Sequence, residues 1–290
     1  MNITLITSNK NFESSFLKRV KDLGHNPKVI NLREYYFLNN KDLSDNGLLS
    51  INKQNTDIVV VRGAYVLTKE VRIFLQKYKN EGIKVFDNNL LEDGYNISKN
   101  ADFLEMSLAK IPTPITFFGS KFEDFLQHSK HFNFPLIIKD VAKSMGNGVL
   151  KINNRADLVT FISKKEKEKI KPNRFLMQEF IDYKHDLRVL VVGDKMNCME
   201  RIPKKGDFRA NFSLGGSVKL FTLTNEIVDL TKKALKTVNL KVCGVDILVL
   251  KNNSLKVLEL NHTPGFDGMR KATGEDIFKQ YLETVIKYAK

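Results

Sequence analysis

Cysteine is scarce: only Cys198 and Cys243 occur, each inside an apolar, strand-like stretch. Two thiols make neither a zinc site nor a disulfide framework, so both read as buried, unpaired sulfur. No apolar run approaches the length that spans a bilayer. The first residues, Met1-Asn2-Ile3-Thr4-Leu5-Ile6-Thr7, lack a basic flank and a small-residue cleavage site, and read as a first strand. There is no internal repeat, no low-complexity linker, no basic segment interleaved with aromatics and no helix-turn-helix pattern. These absences speak against a disulfide-stapled module, a membrane protein and nucleic acid as main partner. A cytoplasmic protein is the expectation.

What is present points elsewhere. The chain has 290 residues, of which 42% are hydrophobic, enough for two or three packed subdomains. Forty-seven basic residues face 33 acidic ones, for a formal charge of +14. Such a balance suits an acidic ligand, such as ATP or a Glu-rich peptide, as well as it suits nucleic acid. Much of it sits in runs like Lys164-Lys165-Glu166-Lys167-Glu168-Lys169, which read as solvated helix faces.

Three blocks follow one another. In the first, residues 1–92, strands at Ile3–Thr7, Lys28–Leu32, Asp57–Val61 and Ile83–Asp87 alternate with helices that end at Gly24 and Gly82. Strands separated by helices imply a parallel sheet, and the unbroken run Ile58-Val59-Val60-Val61 implies burial on both faces. The second block, 93–172, holds a helix over about 96–109, strands at Pro135–Asp140 and Gly148–Ile152 around a glycine-bearing turn, and a charged helix from Arg155. The third, 173–290, opens with Phe175–Phe180. It continues with a hairpin, Leu187–Val192 and Met196–Ile202, turning at Gly193-Asp194. A polar loop, a helix from Thr224, strands Cys243–Leu250 and Leu255–Leu260, and a last helix from about Glu275 complete it. The fold class is α/β: a small parallel-sheet domain followed by two α+β lobes able to clamp a ligand.

The most informative spacing lies in Gly244-Val245-Asp246-Ile247 and Glu259-Leu260-Asn261. A two-residue turn at Asn252-Asn253 pairs Lys251 with Ser254, Leu250 with Leu255 and, counting on, Asp246 with Glu259. Asn261 then shares their face. Like charges opposite one another destabilise a sheet, and a divalent cation would compensate, since two carboxylates and an amide oxygen are hard ligands suited to Mg²⁺ or Mn²⁺. The competing reading turns one carboxylate outward through a bulge, onto a lysine.

Other groups could hold a nucleotide. Lys139 ends a buried strand, where an amine wants an anion or a salt bridge. Ser144, Gly146 and Gly148 lie in a turn whose backbone N–H groups could approach phosphates, though hairpins also want glycine. Gln178-Glu179-Phe180-Ile181 could present backbone edges to a base, and Asp186 could accept from a ribose hydroxyl; a plain strand and a surface carboxylate are the alternatives. The loop over 203–216 is too long and polar for a turn, and it carries Arg209, a two-point clamp for phosphate or carboxylate.

Taken together, Pro135-Leu136-Ile137-Ile138-Lys139, Gln178-Glu179-Phe180-Ile181, Asp186-Leu187-Arg188, Glu200-Arg201, Gly206-Asp207-Phe208-Arg209-Ala210-Asn211, Gly215-Gly216, Gly244-Val245-Asp246-Ile247 and Glu259-Leu260-Asn261-His262-Thr263-Pro264-Gly265 resemble the ATP-grasp ligases, most of all the RimK-type glutamate ligases. The resemblance spans essentially the whole chain. It departs from the family pattern at Ser98, at Leu214 and in the glycine loop.

The resemblance implies that Lys99 and Lys139 contact ATP, that the Gly146–Gly148 loop closes over its phosphates as a lid, and that Ser144 binds the nucleotide beside it. It also implies that Gln178 to Ile181 edge the adenine, that Asp186 meets the ribose, and that Asp246, Glu259 and Asn261 hold Mg²⁺ or Mn²⁺. Arg209, Arg188, Arg201 and Asn211 form the implied catalytic set. The implied reaction joins a carboxylate to an amine through an acyl-phosphate, with an amino acid donor, glutamate favoured, and a polypeptide terminus as carboxylate-bearing acceptor. A small cofactor or an amino-group carrier protein remains an alternative acceptor. A non-catalytic ATP-binding regulator is a third reading, disfavoured because all three metal-ligand positions are kept. Homo-oligomer formation is left open.

Overall fold

A computed structural model describes residues 1–38, 47–87, 90, 98–143, 146–210 and 215–290, with the backbone of 44–45. Ser144 and Asn211, two of the candidates above, lie outside the described residues, as does Leu214.

The first sheet contains β1 (Asn2–Thr7), β2 (Asn26–Asn31), β5 (Ile58–Val61) and β6 (Lys84–Phe86) in the order β2-β1-β5-β6, all parallel. Two short strands, β3 (Phe37–Leu38) and β4 (Ser44–Asp45), form a separate pair. Helices α1 (Lys10–Asp22) and α2 (Thr68–Asn80) connect the sheet. Asn9 caps α1 by accepting the backbone N–H groups of Asn11 and Phe12. Gly24 and Gly82, at φ 77° and 74°, supply the left-handed residues that end α1 and α2. The apolar run of β5 is divided as its alternation requires. Ile58 and Val60 join one core with Phe16 and Tyr281, whereas Val59 and Val61 join another with Leu75 and Tyr78.

A second, antiparallel sheet has the order β7-β10-β8-β9, from β7 (Thr116–Phe118), β8 (Leu136–Asp140), β9 (Val149–Ile152) and β10 (Phe175–Glu179). Helices α4 (Phe122–His128) and α5 (Arg155–Lys167) pack on it through Phe122, Phe125, Leu158 and Phe161. Both β7 and α4 are too short to carry a readable period in the sequence.

The third sheet, antiparallel and ordered β13-β12-β11-β14-β15, consists of β11 (Tyr183–Val192), β12 (Lys195–Ile202), β13 (Ser217–Leu220), β14 (Val242–Leu250) and β15 (Leu255–Asn261). Val192 pairs with Lys195 across the turn expected at Gly193-Asp194. One face is mainly apolar: Leu187, Val189, Val191, Val245, Ile247 and Val257 pack against α6 (Asn225–Lys236) and α3 (Lys99–Leu108), with the His185–Glu200 pair at its edge. Phe103, Met106 and Ile111, in and just after α3, belong to this core. The other face is divided. Leu190, Val192, Met199 and Val242 lie under the parallel sheet and the last helix, α8 (Ile277–Ala289). Asp186, Arg188, Arg201 and Asp246 continue that face as a polar half. Helix α7 (Asp267–Thr273) precedes α8 and is a separate element, where the sequence suggested only one terminal helix.

The β14–β15 hairpin corrects one expectation and keeps its consequence. The turn has three residues, 251–253, and not two. The Leu250 N–H donates to Ser254 O, and Asn253 takes a left-handed φ of 64°. Val249 therefore faces Leu255, one step out of the expected register. An irregularity at Leu258, where the register shifts between Asp246 and Ile247, takes up the extra residue, and Asp246 faces Glu259 after all. Because strand side chains alternate, the pairing without that bulge would have put Glu259 on the apolar face.

Candidate active site

Asp246, Glu259 and Asn261 share the polar face, Asp246 opposite Glu259 and Asn261 opposite Gly244. Gly244 keeps the approach close there. A Cβ on it would lie 3.1 Å from Pro264 Cβ, 3.4 Å from Asn261 Cβ and 3.5 Å from Arg188 Nε.

Asp246 is 4% exposed. It accepts Arg188 Nε on Oδ1 (2.7 Å), and Arg188 Nη2 and Arg201 Nη1 on Oδ2 (2.8 Å each). Burial works to raise its pKa, but the two guanidiniums outweigh burial and hold the carboxyl at about 2. Arg201 is buried between two carboxylates, and its Nε also donates to Asp186 Oδ1 (2.8 Å). Burial pushes the Asp186 carboxyl up from its ordinary value despite that arginine. Glu259 pairs with Lys99.

These contacts revise two expectations. The repulsion between Asp246 and Glu259 is offset within the protein, by Arg188, Arg201 and Lys99, so it does not by itself demand a cation. Asp186 is no surface carboxylate, the alternative weighed above; Arg188 and Arg201, members of the implied catalytic set, are each engaged by a carboxylate on their own sheet.

Three carboxylates, Asp186, Asp246 and Glu259, are thus met by Arg201, Arg188 and Lys99. One cation is left over. Lys139 projects from β8, 8% exposed, and has no hydrogen-bond or ion-pair partner among the described residues. Its ammonium lies 6.0 Å from the centre of the Phe103 ring. Burial lowers its pKa to about 8, against the pull of Glu259, Asp246 and Asp186.

The second sheet supplies the remaining candidates. Gln178 is buried and donates to Thr116 Oγ1 at 2.9 Å. Glu179 accepts the Ile115 N–H at 2.9 Å and pairs with Lys256 of β15, so its carboxylate ties β10 to both neighbouring segments. Phe180 has the Lys151 ammonium 4.2 Å from its ring centre and Phe208 edge-on at 6.4 Å; Ile181 beside it is half-buried.

Between β8 and β9 the glycines have ordinary hairpin reasons as well. Gly146 is at φ 80°, and a Cβ on Gly148 would come within 2.9 Å of Asp140 Cβ. Arg209 bridges this turn to the polar loop. Its Nη1 donates to Gly146 O at 3.1 Å, while Nε and Nη2 hold Asp207 at 3.0 and 2.8 Å. Those bonds hold the Asp207 carboxyl at about 2.

The sequence reading missed a second tie between α3 and β15. His262 Nε2 lies 3.0 Å from Asp102 Oδ1, one turn of helix beyond the Lys99–Glu259 pair. His262 stands in a quoted motif, but nothing in the sequence singles out Asp102.

Among the described residues, no group of three or more His, Cys, Asp and Glu side chains converges to hold a metal. The donor set here is two carboxylates and the Asn261 amide. Asp246 Oδ1 accepts a single bond, and Glu259 Oε2 accepts none among the described residues. Each keeps a free lone pair, so the set fits a hard cation.

A family model described as the RimK-like ATP-grasp domain matches residues 101–285. A probable alpha-L-glutamate ligase 2 of Shewanella denitrificans is 29% identical over all of this chain and 97% of its own length. One from Shewanella sp. strain MR-4 is 31% identical over 92% of this chain and 89% of its own. Among solved structures, the ATP-grasp ligase PsnB complexed with a minimal precursor superposes with a TM-score of 0.73 at 19% identity, over 99% of this chain and 98% of that one. The D-alanine–D-alanine ligase of Bacillus anthracis gives 0.72 at 16% identity, over 100% and 97%. At such identities the structures speak to the fold, and the fold agrees with the family match: the chain belongs to the RimK-like ATP-grasp family of carboxylate–amine ligases.

Proposed function

We propose that this ligase uses ATP and Mg²⁺ to join glutamate, or another amino acid, to the carboxyl end of a polypeptide through an acyl-phosphate. The observation that carries the reading is Lys139, a buried ammonium without a hydrogen-bond or ion-pair partner among the described residues, across from a carboxylate pair with open lone pairs. One wall wants an anion and the other can take a cation, and a metal–nucleotide answers both.

In this reading Lys139 and Lys99 hold phosphates, with the backbone around Gly146 and Gly148 above them. The stretch from Gln178 to Ile181 edges the base through its main chain, since the side chains of Gln178 and Glu179 are already engaged. Both Arg201 bonds fall on Asp186 Oδ1, so that oxygen orients the arginine while Oδ2 accepts a ribose hydroxyl. Asp246, Glu259 and Asn261 would hold Mg²⁺, which would supply positive charge against the phosphates. The acceptor carboxylate takes that phosphoryl group and ADP leaves. The amine then attacks the carbonyl carbon, and phosphate departs with the C–O bond. Arg209, at the junction of the two loops, stabilises the oxyanion in between.

A peptide acceptor is favoured over a small cofactor by the company the chain keeps. Its curated relatives are named glutamate ligases, and PsnB and the macrocyclase MdnC are structures complexed with precursor peptides. The test is ADP release measured across a panel of amino acids and peptides, with mass spectrometry of the product. Glutamate-dependent ADP release with a peptide lengthened by glutamyl residues is expected. ADP release that ignores both amino acid and peptide would reject the reading.

A further inference from the structure

Arg62 directly follows β5, in the parallel sheet, far from Asn261 in sequence. It is 4% exposed, yet its two ends are committed to different parts of the molecule. Nη1 donates to Asp87 Oδ2 at 2.6 Å, and Tyr281 Oη of α8 donates to the same oxygen at 3.1 Å. Asp87 is a non-glycine residue at φ 58°, held there by these contacts. Nη2 donates to Pro264 O, in the turn that follows Asn261. The guanidinium between them lies 4.4, 5.1 and 5.4 Å from the ring centres of Phe266, Tyr281 and Phe12.

The turn that Arg62 grips decides where the Asn261 amide points. Asn261 Oδ1 accepts the Thr263 N–H at 3.1 Å, so side chain and turn are one unit. Its other side is closed by Gly244, which leaves only van der Waals room for Pro264 and Asn261. We infer that Arg62 is a positioning residue of the ligase site: the parallel sheet reaches under the carboxylate hairpin through this one side chain and sets the Asn261 oxygen toward the metal position. The inference rests on the proposed metal role of Asn261. Lysine cannot replace Arg62, because a single compact ammonium cannot reach Asp87 and Pro264 O together or lie flat among three rings.

The experiment is calorimetric titration of a non-hydrolysable ATP analogue, with Mg²⁺ and again with EDTA, so that no turnover enters. The ratio of the two dissociation constants reports metal-assisted binding. Arg62→Lys should shrink that ratio about tenfold, the usual scale for losing an outer partner of a metal ligand. Its affinity in EDTA should stay at the parent value. Leu75→Ala, in the core on the other side of the same sheet, should lower Tm and leave the ratio alone. An unchanged ratio in Arg62→Lys, beside a reduced one in Asn261→Ala, overturns the inference. An unchanged ratio in Asn261→Ala overturns the metal reading on which it rests. Should Arg62→Lys fail to fold, Asp87→Asn loosens the other end of the same guanidinium without touching the metal face; it must shrink the ratio too, or the inference fails.

Discussion

Lys139 is costly to the empty protein. Its folded pKa of about 8 lies below the ordinary 10.5, so near neutral pH the folded chain keeps a proton that burial disfavours. The penalty is complete below about pH 8 and fades as pH rises toward the unfolded value, so the ligand-free protein gains stability over that window. Phosphates beside the ammonium restore its charge. ATP analogue binding near pH 9 should therefore take up protons, seen as a dependence of the calorimetric heat on buffer ionisation enthalpy. Lys139→Gln should bind weakly and lose the uptake; a parent protein that binds without proton uptake would count against phosphate contact at Lys139.

Arg209 separates ligase from mere nucleotide binder. A lysine there cannot hold Asp207 and Gly146 O at once, nor match a carboxyl phosphate in two-point geometry. Arg209→Lys should keep ATP affinity within a few-fold and cut ligation by roughly two orders of magnitude, the scale of one lost transition-state donor. Tm should hardly move, because the residue lies in a polar loop and is partly exposed.

At the scale of the element, the β14–β15 hairpin shows how a correct pairing can come from two departures that cancel. The extra turn residue at Asn253 and the bulge at Leu258 each move the register by one. The first needs a left-handed residue. Asn253→Val should lower stability by about 1–2 kcal/mol, while Asn253→Gly should be neutral or better. Urea midpoints at constant m decide this, and equal midpoints for all three proteins would refute the turn assignment.

On the scale of the molecule, the third sheet is the frame. Its mainly apolar face carries α3 and α6. Half of its other face is covered by the parallel sheet and α8, and the polar remainder looks toward Lys139 on the second sheet. A ligand held between the second and third sheets stabilises the folded chain by mass action. At a hundredfold excess over Kd, the Mg²⁺–analogue pair should add about 2.7 kcal/mol, read by chemical denaturation. Glu259→Ala should lose most of that gain. It removes the partner of Lys99, so relief of carboxylate repulsion is not expected to make the variant more stable.

Much of the frame was legible in the sequence because local chemistry dictates it. The apolar run Ile58–Val61 implied a strand covered on both faces, Gly193-Asp194 a tight hairpin, Gly24 and Gly82 the ends of helices, and the spacing of Asp246 and Glu259 their apposition. The rest depended on residues far apart in the chain. Nothing in the sequence ties Arg188 and Arg201 to particular carboxylates until strand pairing sets them beside Asp246 and Asp186. Asp102 meets His262 only because α3 lies along β15, and Arg62 reaches Pro264 only because the parallel sheet packs beside the hairpin. Side-chain periodicity reports which face a residue occupies. Which charges meet across faces, and which one is left without a partner, is decided by the packing of elements. That is why Lys139 appears in the sequence as an ordinary strand-end amine and, among the described residues of the folded chain, as a buried cation of this cluster with no carboxylate of its own.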